Sequence, residues 1–202
     1  MVSIYDLKPG FQKLLRPLCS ALAKAGVSAN QVTVASAVLS GLLGLGVALY
    51  PEARWPLLLI PAGLFVRMAL NAIDGMLARE HNMQSALGGM LNELGDVVSD
   101  AALYLPFAFI PGVSGIGVVV VTVLAIVSEM AGVVAVQIGG SRRYEGPMGK
   151  SDRAFVFGLI ALLLGLGVSA VWWVSAALWV LVLLLVVTIF GRCRRALGEV
   201  AQ

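Results

Sequence analysis

The feature that most limits how this 202-residue chain can fold is its set of long, nearly uncharged apolar runs. Residues 116–137 contain one charge, Glu129, and residues 174–191 contain none. A helix on the surface of a soluble domain keeps a polar face toward water, and these stretches have no such face. Crossing a bilayer takes roughly 20 mostly apolar residues. Six windows meet that description: 30–50, 56–76, 88–110, 116–137, 154–173 and 175–191. Only 12% of residues are charged, about half the share of an ordinary soluble domain. The connections between the windows are short. The expectation is an all-α membrane protein, one domain over residues 1–202 with six transmembrane helices.

Residues 1–26 do not have the layout of a cleavable signal peptide, because Asp6, Lys8, Lys13, Arg16 and Lys24 precede any long apolar run. Phe11, Leu14, Leu15, Leu18 and Leu22 recur at helical spacing, with Gln12, Lys13, Arg16 and Ser20 on other faces. This pattern predicts an interfacial amphipathic helix, kinked at Pro17. A solvated tail is the plainer alternative.

With both termini cytoplasmic, twelve cations fall on the inner side: Lys8, Lys13, Arg16, Lys24, Arg79, Arg142, Arg143, Lys150, Arg153, Arg192, Arg194 and Arg195. The outer loops hold Arg54 alone, and Arg67 lies within the second span. That asymmetry sets orientation, and it assigns the net charge of +3 to membrane headgroups and topology, not to nucleic acid. Trp55, Trp172, Trp173 and Trp179 fall toward the outer interface. Arg192, Arg194 and Arg195 read as inner anchors. Cys19 and Cys193 are too few for a disulfide framework. Ser36, Ser40, Gly44 and Ala48, four residues apart in the first span, form a small-residue stripe for close helix packing, with no chemistry assigned.

Ionisable groups inside spans are costly and mark function, and here they are concentrated. The second span ends with Arg67, Asn71, Asp74 and Arg79; the third begins with Asn92, Glu93, Asp96 and Asp100; the fourth holds Glu129. Adjacent antiparallel helices joined by a short loop put Asn71 and Asp74 level with Asn92 and Asp96 near the cytoplasmic surface. Facing carboxylates need a cation, and an all-oxygen set favours Mg²⁺, Mn²⁺ or Ca²⁺ over zinc. On a helix of about 3.6 residues per turn, Asp96, Asp100 and Glu93 fall within roughly 60° of one another beside Asn92. Glu93 and Asp100 are therefore further metal candidates. The plainer alternatives are Glu93 facing water, and Asp100 with Glu129 pairing a buried Arg67. Arg67 lies about 6 Å deeper than Asn71; its other option is an anionic headgroup.

The array Asn71-x2-Asp74-Gly75-x2-Ala78-Arg79-x8-Gly88-x3-Asn92-x3-Asp96 resembles the signature of the CDP-alcohol phosphotransferases, D-x2-DG-x2-AR-x8-G-x3-D-x3-D. All intervals agree, and six of the eight identities do, with asparagine at the first and third aspartate positions. The Asn-Gln-Val-Thr opening of the first span and the basic loop before the fifth extend the resemblance over the chain. It implies that Asn71, Asp74, Asn92 and Asp96 hold divalent metal, with Asp96 also the catalytic base for the acceptor hydroxyl. It further implies that Asp74, Gly75, Ala78 and Gly88 line a nucleotide cleft, with Arg79 contacting the diphosphate. Four aspartates would set −4 against two divalent ions, and Asp74 with Asp96 supply −2.

Residues 138–153 are turn-rich and basic. Arginine grips phosphate oxygens with two donors, and the resemblance implies acceptor-phosphate binding here. Arg142, Arg143, Lys150 and Arg153 are the candidates; a positive-inside anchor is the alternative. The chain is thus expected to be an integral enzyme of phospholipid biosynthesis, in a bacterial inner membrane, with its active site cytoplasmic. It would move a phosphatidyl group from a CDP-linked lipid such as CDP-diacylglycerol to an alcohol and release CMP. The alcohol stays open among glycerol 3-phosphate, inositol or its phosphate, serine and a second lipid, and the resemblance implies a homodimer. A CDP-lipid-binding pseudoenzyme and a small transporter are the alternatives.

Overall fold

Helix boundaries in this chain follow from local capping chemistry. The computed structural model describes residues 4–201, with side chains from Gly10 onward. Asp6 and Lys8, part of the charge pattern above, have side chains outside the described residues. The regular elements are α1 (Ile4–Lys24), α2 (Ala29–Leu49), α3 (Arg54–Glu80), α4 (Ala86–Tyr104), a 3-10 turn (Leu105–Phe109), α5 (Gly115–Gln137), α6 (Lys150–Gly165) and α7 (Trp172–Val200).

A reciprocal capping box opens α2: the Gln31 N–H donates to Ser28 Oγ (3.3 Å) and the Ser28 N–H to Gln31 Oε1 (2.8 Å). After α3, Asn82 takes a left-handed φ of 55°, a conformation asparagine tolerates, and the chain reverses. Ser85 then caps α4 by accepting from the Gly88 N–H (2.9 Å). At α6 the bond runs the other way, with Asp152 in the first turn accepting from the N–H of the cap residue Gly149 (2.9 Å).

The expected spans starting at 30, 56 and 116 correspond to α2, α3 and α5, whose first residues are 29, 54 and 115. Three departures have local causes. The expected 88–110 span ends as an α-helix at Tyr104, because Pro106 enters a 3-10 turn. The expected 154–173 span stops at Gly165, where Gly167 at φ 96° ends the helix in a left-handed cap. The last helix continues past 191 to Val200, because its polar continuation is still rich in helix formers. Four helices, α2, α3, α5 and α7, are long and apolar enough to cross a membrane. Helix α6 has 16 residues, about 24 Å at 1.5 Å per residue, short of the hydrocarbon thickness of about 30 Å. The six-span count is thus met by four helices on length and composition.

The chain divides into two compact units, Met1–Gly41 with Ala62–Ser99, and Leu42–Pro61 with Asp100–Gln202. In the first, Cys19, Val32, Ile73, Met76 and Leu77 form a core that Leu15 and Leu22 join from α1. Leu14 and Leu18 of α1 stay exposed. The apolar positions of this helix therefore split between the core and its surroundings. Arg16 makes a two-pronged ion pair with Glu80 at the end of α3 (3.1 and 3.0 Å), and helix α1 is assigned without a break through Pro17.

In the second unit, Phe157 stacks on Tyr104 (centroids 4.0 Å apart) and meets Phe107 edge-on (5.2 Å). Residues 51–54, 110–111 and 167–170 line one cavity of about 240 Å³. The small-residue stripe of α2 packs as expected: a Cβ on Gly44 would stand 1.9 Å from the Ala102 carbonyl oxygen. Gly44→Leu is accordingly expected to destabilise the protein by about 1–3 kcal/mol, read as a lower unfolding temperature in detergent, whereas Gly41→Leu, with open space at its Cβ, leaves it unchanged.

Candidate active site

Three helix segments of the first unit build a polar cleft: the start of α2, the last turns of α3 and the start of α4. The cavity, about 340 Å³, is lined by Asn30, Thr33, Asp74, Gly75, Ala78, Arg79, Gln84, Ser85, Gly88 and Asn92, with apolar Ala29 and Met83. Every residue expected to line a nucleotide cleft is present: Asp74, Gly75, Ala78, Arg79 and Gly88. Two glycines act by leaving space. The Arg79 guanidinium folds back over Gly75, whose Cβ would lie 3.0 Å from Nη2, and the Asn30 amide oxygen would lie 2.7 Å from a Cβ on Gly88.

The motif side chains are oriented from α2. Thr33 Oγ1 donates to Asp74 Oδ2 (3.0 Å), and Ser36 Oγ donates to Asn71 Oδ1 (2.9 Å). The sequence reading gave Ser36 a packing role only; its hydroxyl also positions a motif amide. Thr33 and Asn30 are site residues that it missed as individuals, although both belong to the quoted opening of the first span. Asp96 lies beside Arg67, with Nη2 3.9 Å from Oδ1 and donating to the Asp96 carbonyl oxygen at 3.4 Å. Asn71, Asp96 and the half-buried Glu93 are not among the residues lining the cavity.

The motif residues Asp74, Asp96, Asn71 and Asn92 offer only oxygen donors, two of them as carboxylates, and of the four Asp74 and Asn92 line the cavity. No group of three or more His, Cys, Asp or Glu residues converges as a protein cage among the described residues. This fits a hard cation of the Mg²⁺ type, which is commonly held by one or two carboxylates plus substrate phosphates and water.

The second unit holds a separate charge cluster, and it corrects several expectations. Arg153, 0% exposed, places Nη2 2.9 Å from Asp100 Oδ2 and 3.0 Å from Glu129 Oε1. Asp100 is thus an ion-pair partner of Arg153. Glu129 serves Arg153, Arg142 (3.1 Å) and Arg192 (3.5 Å), instead of the expected Arg67. Arg67 also stands beside Asp96, a partner not among those expected.

Arg192 is no surface anchor. It is 1% exposed and donates to the backbone carbonyls of Glu145 (3.0 Å), Tyr144 (2.9 Å) and Ser128. The signal was in the periodicity, since Leu181, Leu185, Thr188, Arg192 and Ala196 are the buried face of α7. Arg153 likewise heads the buried stripe of Phe157, Ile160, Ala161 and Leu164 on α6.

Arg143 pairs with Glu199 and with Glu145 (3.6 Å), and Lys150 is half-buried at the first position of α6. Burial acts to raise the Glu145 carboxyl, but the N–H groups of Glu145 and Tyr144 and the Arg143 guanidinium outweigh it, holding the pKa below its ordinary value. Gly132 is an access glycine for this cluster, because its Cβ would fall 2.4 Å from the Arg143 carbonyl oxygen, onto the path of the Arg142 side chain.

The fold is shared with solved structures of the phosphatidylinositol phosphate synthase of Mycobacterium tuberculosis. Its structure with CDP-DAG bound matches at a TM-score of 0.76 and 19% identity, covering 93% of this chain and 94% of that one. The same enzyme in complex with manganese and citrate matches at 0.74 and 19%, covering 90% and 88%. At that identity the likeness establishes the fold. The pattern of the CDP-alcohol phosphatidyltransferases matches residues 27–191, and the chain belongs to that family. It is 46% identical over 198 residues to the inner membrane protein YnbA of Escherichia coli K12, covering 97% of each chain.

Replacing Arg153 by methionine removes the guanidinium that Asp100 and Glu129 share. The variant is expected to lose about 3–5 kcal/mol of stability, seen as a large drop in the unfolding temperature. Adding Asp100→Asn to it should recover part of the loss, whereas adding Glu129→Gln, which also serves Arg142 and Arg192, should not.

Proposed function

We propose that this protein transfers a phosphatidyl group from a CDP-linked lipid to an anionic alcohol and releases CMP. The observation that carries the reading is the cleft itself: Asp74, Gly75, Ala78, Arg79, Gly88 and Asn92 line one cavity sized for part of a nucleotide, in a chain of this family. The relatives' ligands support it, since CDP-DAG and manganese are bound to the mycobacterial enzyme.

In this reading the lipid tails stay in the bilayer, and both termini and the cleft face the cytoplasm, as the distribution of cations demands. Arg79, held over Gly75, contacts the diphosphate. Asp74 and Asp96, with the amide oxygens of Asn71 and Asn92, hold Mg²⁺ or Mn²⁺. When bound, such an ion supplies neutralisation of the diphosphate charge. Asp96 takes the proton of the acceptor hydroxyl as its oxygen bonds to the lipid-linked phosphorus. The P–O bond to CMP breaks, and the electron pair leaves on CMP. Positioning and charge neutralisation account for most of the rate, as in phosphoryl transfer generally.

The acceptor reading rests on the second unit. Arg142, Arg153 and Arg192 against Asp100 and Glu129 give +3 − 2 = +1, and Arg153 Nε is buried without a hydrogen-bond partner. This arginine group, with Arg143 and Lys150, suits an acceptor carrying phosphate. Arg153 enters through the cluster, not as a lone exposed cation.

The test is purified protein in lipid nanodiscs with CDP-diacylglycerol, Mg²⁺ or Mn²⁺ and a panel of alcohols, reading CMP release and the product lipid by mass spectrometry. The expected outcome is CMP release with a phosphate-bearing alcohol, reduced about 10²- to 10⁴-fold in Asp96→Asn. CDP-lipid binding without CMP from any alcohol would convict the pseudoenzyme reading, and flux of solute across liposomes without CMP the transporter.

A further inference from the structure

The loops expected on the outer side hold a cation and an acid that the proposed reaction does not use. Glu52 and Arg54 line the cavity of about 240 Å³ together with Gly167, Ser169 and Ala170, and all of these belong to the second unit. Among the described residues, neither the Glu52 nor the Arg54 side chain makes a hydrogen bond or an ion pair, with each other or with any other group.

Two glycines with left-handed backbone build this cavity. Gly112, at φ 82°, lets its turn close on the loop after α6, because a Cβ there would stand 2.5 Å from the Ala170 carbonyl oxygen. Gly167 makes room for Arg54: its Cβ would lie 2.9 Å from Cζ, 2.9 Å from Nη1 and 3.1 Å from Nη2. Three nearly equal distances mean that the guanidinium lies flat on Gly167. Its N–H donors lie in its own plane, so their edge is left for the cavity. Trp173 Nε1 donates to the Ser169 carbonyl oxygen (2.9 Å) and fixes the loop on which the group rests. A planar cation held this way is laid out for two oxygens of one phosphate.

Charge decides what fits. An anion alone would meet Arg54 but repel Glu52, and a metal ion would meet Glu52 but repel Arg54. A zwitterion carrying a phosphodiester and a primary ammonium satisfies both. The neighbouring residues say where such a molecule comes from. Trp55 and Trp172 are exposed, and Trp55 packs at a tilt on Tyr50 with centroids 5.5 Å apart. Exposed aromatic rings of this kind sit at the level of lipid headgroups.

We propose that this cavity is a specific site for the headgroup of a zwitterionic phospholipid, with Arg54 holding the phosphodiester and Glu52 the ammonium. None of its residues belongs to the polar cleft, so the site is independent of the proposed reaction. A bound headgroup touches residues 51–54 and 167–170 together, and a ligand that binds only the folded state stabilises it.

The test is native mass spectrometry of the full-length protein in mild detergent, titrated with phosphatidylethanolamine or with phosphatidylglycerol. One phosphatidylethanolamine per chain is expected, held about tenfold more tightly than phosphatidylglycerol, with a raised unfolding temperature. Arg54→Gln should weaken its binding about tenfold, the scale of one charge-assisted hydrogen bond. Glu52→Gln should make the two lipids equal, because the anionic one no longer faces a carboxylate. Both residues are exposed, so these variants leave the core intact, and Arg194→Gln on the polar end of α7 should change nothing.

Equal retention of the two lipids by the native protein would overturn the proposal and leave an anion site. Retention that neither Arg54→Gln nor Glu52→Gln alters would also overturn it, leaving only the lipid that surrounds any membrane protein.

Discussion

Ionised groups drawn out of water must find their counter-charge nearby, and in this chain that requirement arranges the second unit around Arg153. Its guanidinium joins Asp100, Glu129 and Ser128 from two other helical segments. Arg192 and Arg142 reach the same glutamate. Each group would be prohibitive alone in apolar surroundings, yet together they cost little and tolerate few alternative arrangements. The loop from 138 to 149 inherits its shape from this cluster, because Arg192 binds its carbonyls and Thr188 Oγ1 accepts from the Met148 N–H at 3.0 Å.

The cleft of the first unit uses the opposite device, absence of side chain. Gly75 makes room for Arg79, and Gly88 makes room for Asn30. Both are helical glycines, which cost about 1 kcal/mol each relative to alanine, and the return is direct access to backbone and to a guanidinium held in place. Hydroxyls of α2 then orient the motif acids and amides, as outer-shell partners do around metal ligands generally. Asparagine at two of the four acidic motif positions changes the charge there without changing the oxygen-donor character.

Much of this was legible without coordinates. The helical class and the first residues of α2, α3 and α5 to within two positions followed from hydropathy, and the grouping of Asp74, Gly75, Ala78, Arg79 and Gly88 followed from the resemblance to the family signature. Helix ends were less so. Gly167 and Pro106 each stopped a helix that apolar composition alone would have continued, since hydropathy records solvent preference and not backbone conformation. Arg192 was misread because a terminal arginine near a membrane surface has an ordinary explanation, and the buried periodicity of α7 was the stronger signal.

Sequence by itself determined that the chain is helical, that its solvent is largely lipid, and that its motif is spaced as in the CDP-alcohol phosphatidyltransferases. These depend on composition and on intervals along a helix, which are local quantities. Tertiary structure alone decided which cation meets which carboxylate: Arg153 with Asp100 and Glu129, Arg67 with Asp96, Arg142 and Arg192 sharing Glu129. Depth along a span narrows such pairings to a layer. The azimuth of each helix selects one of them, and azimuth is set by packing across the bundle.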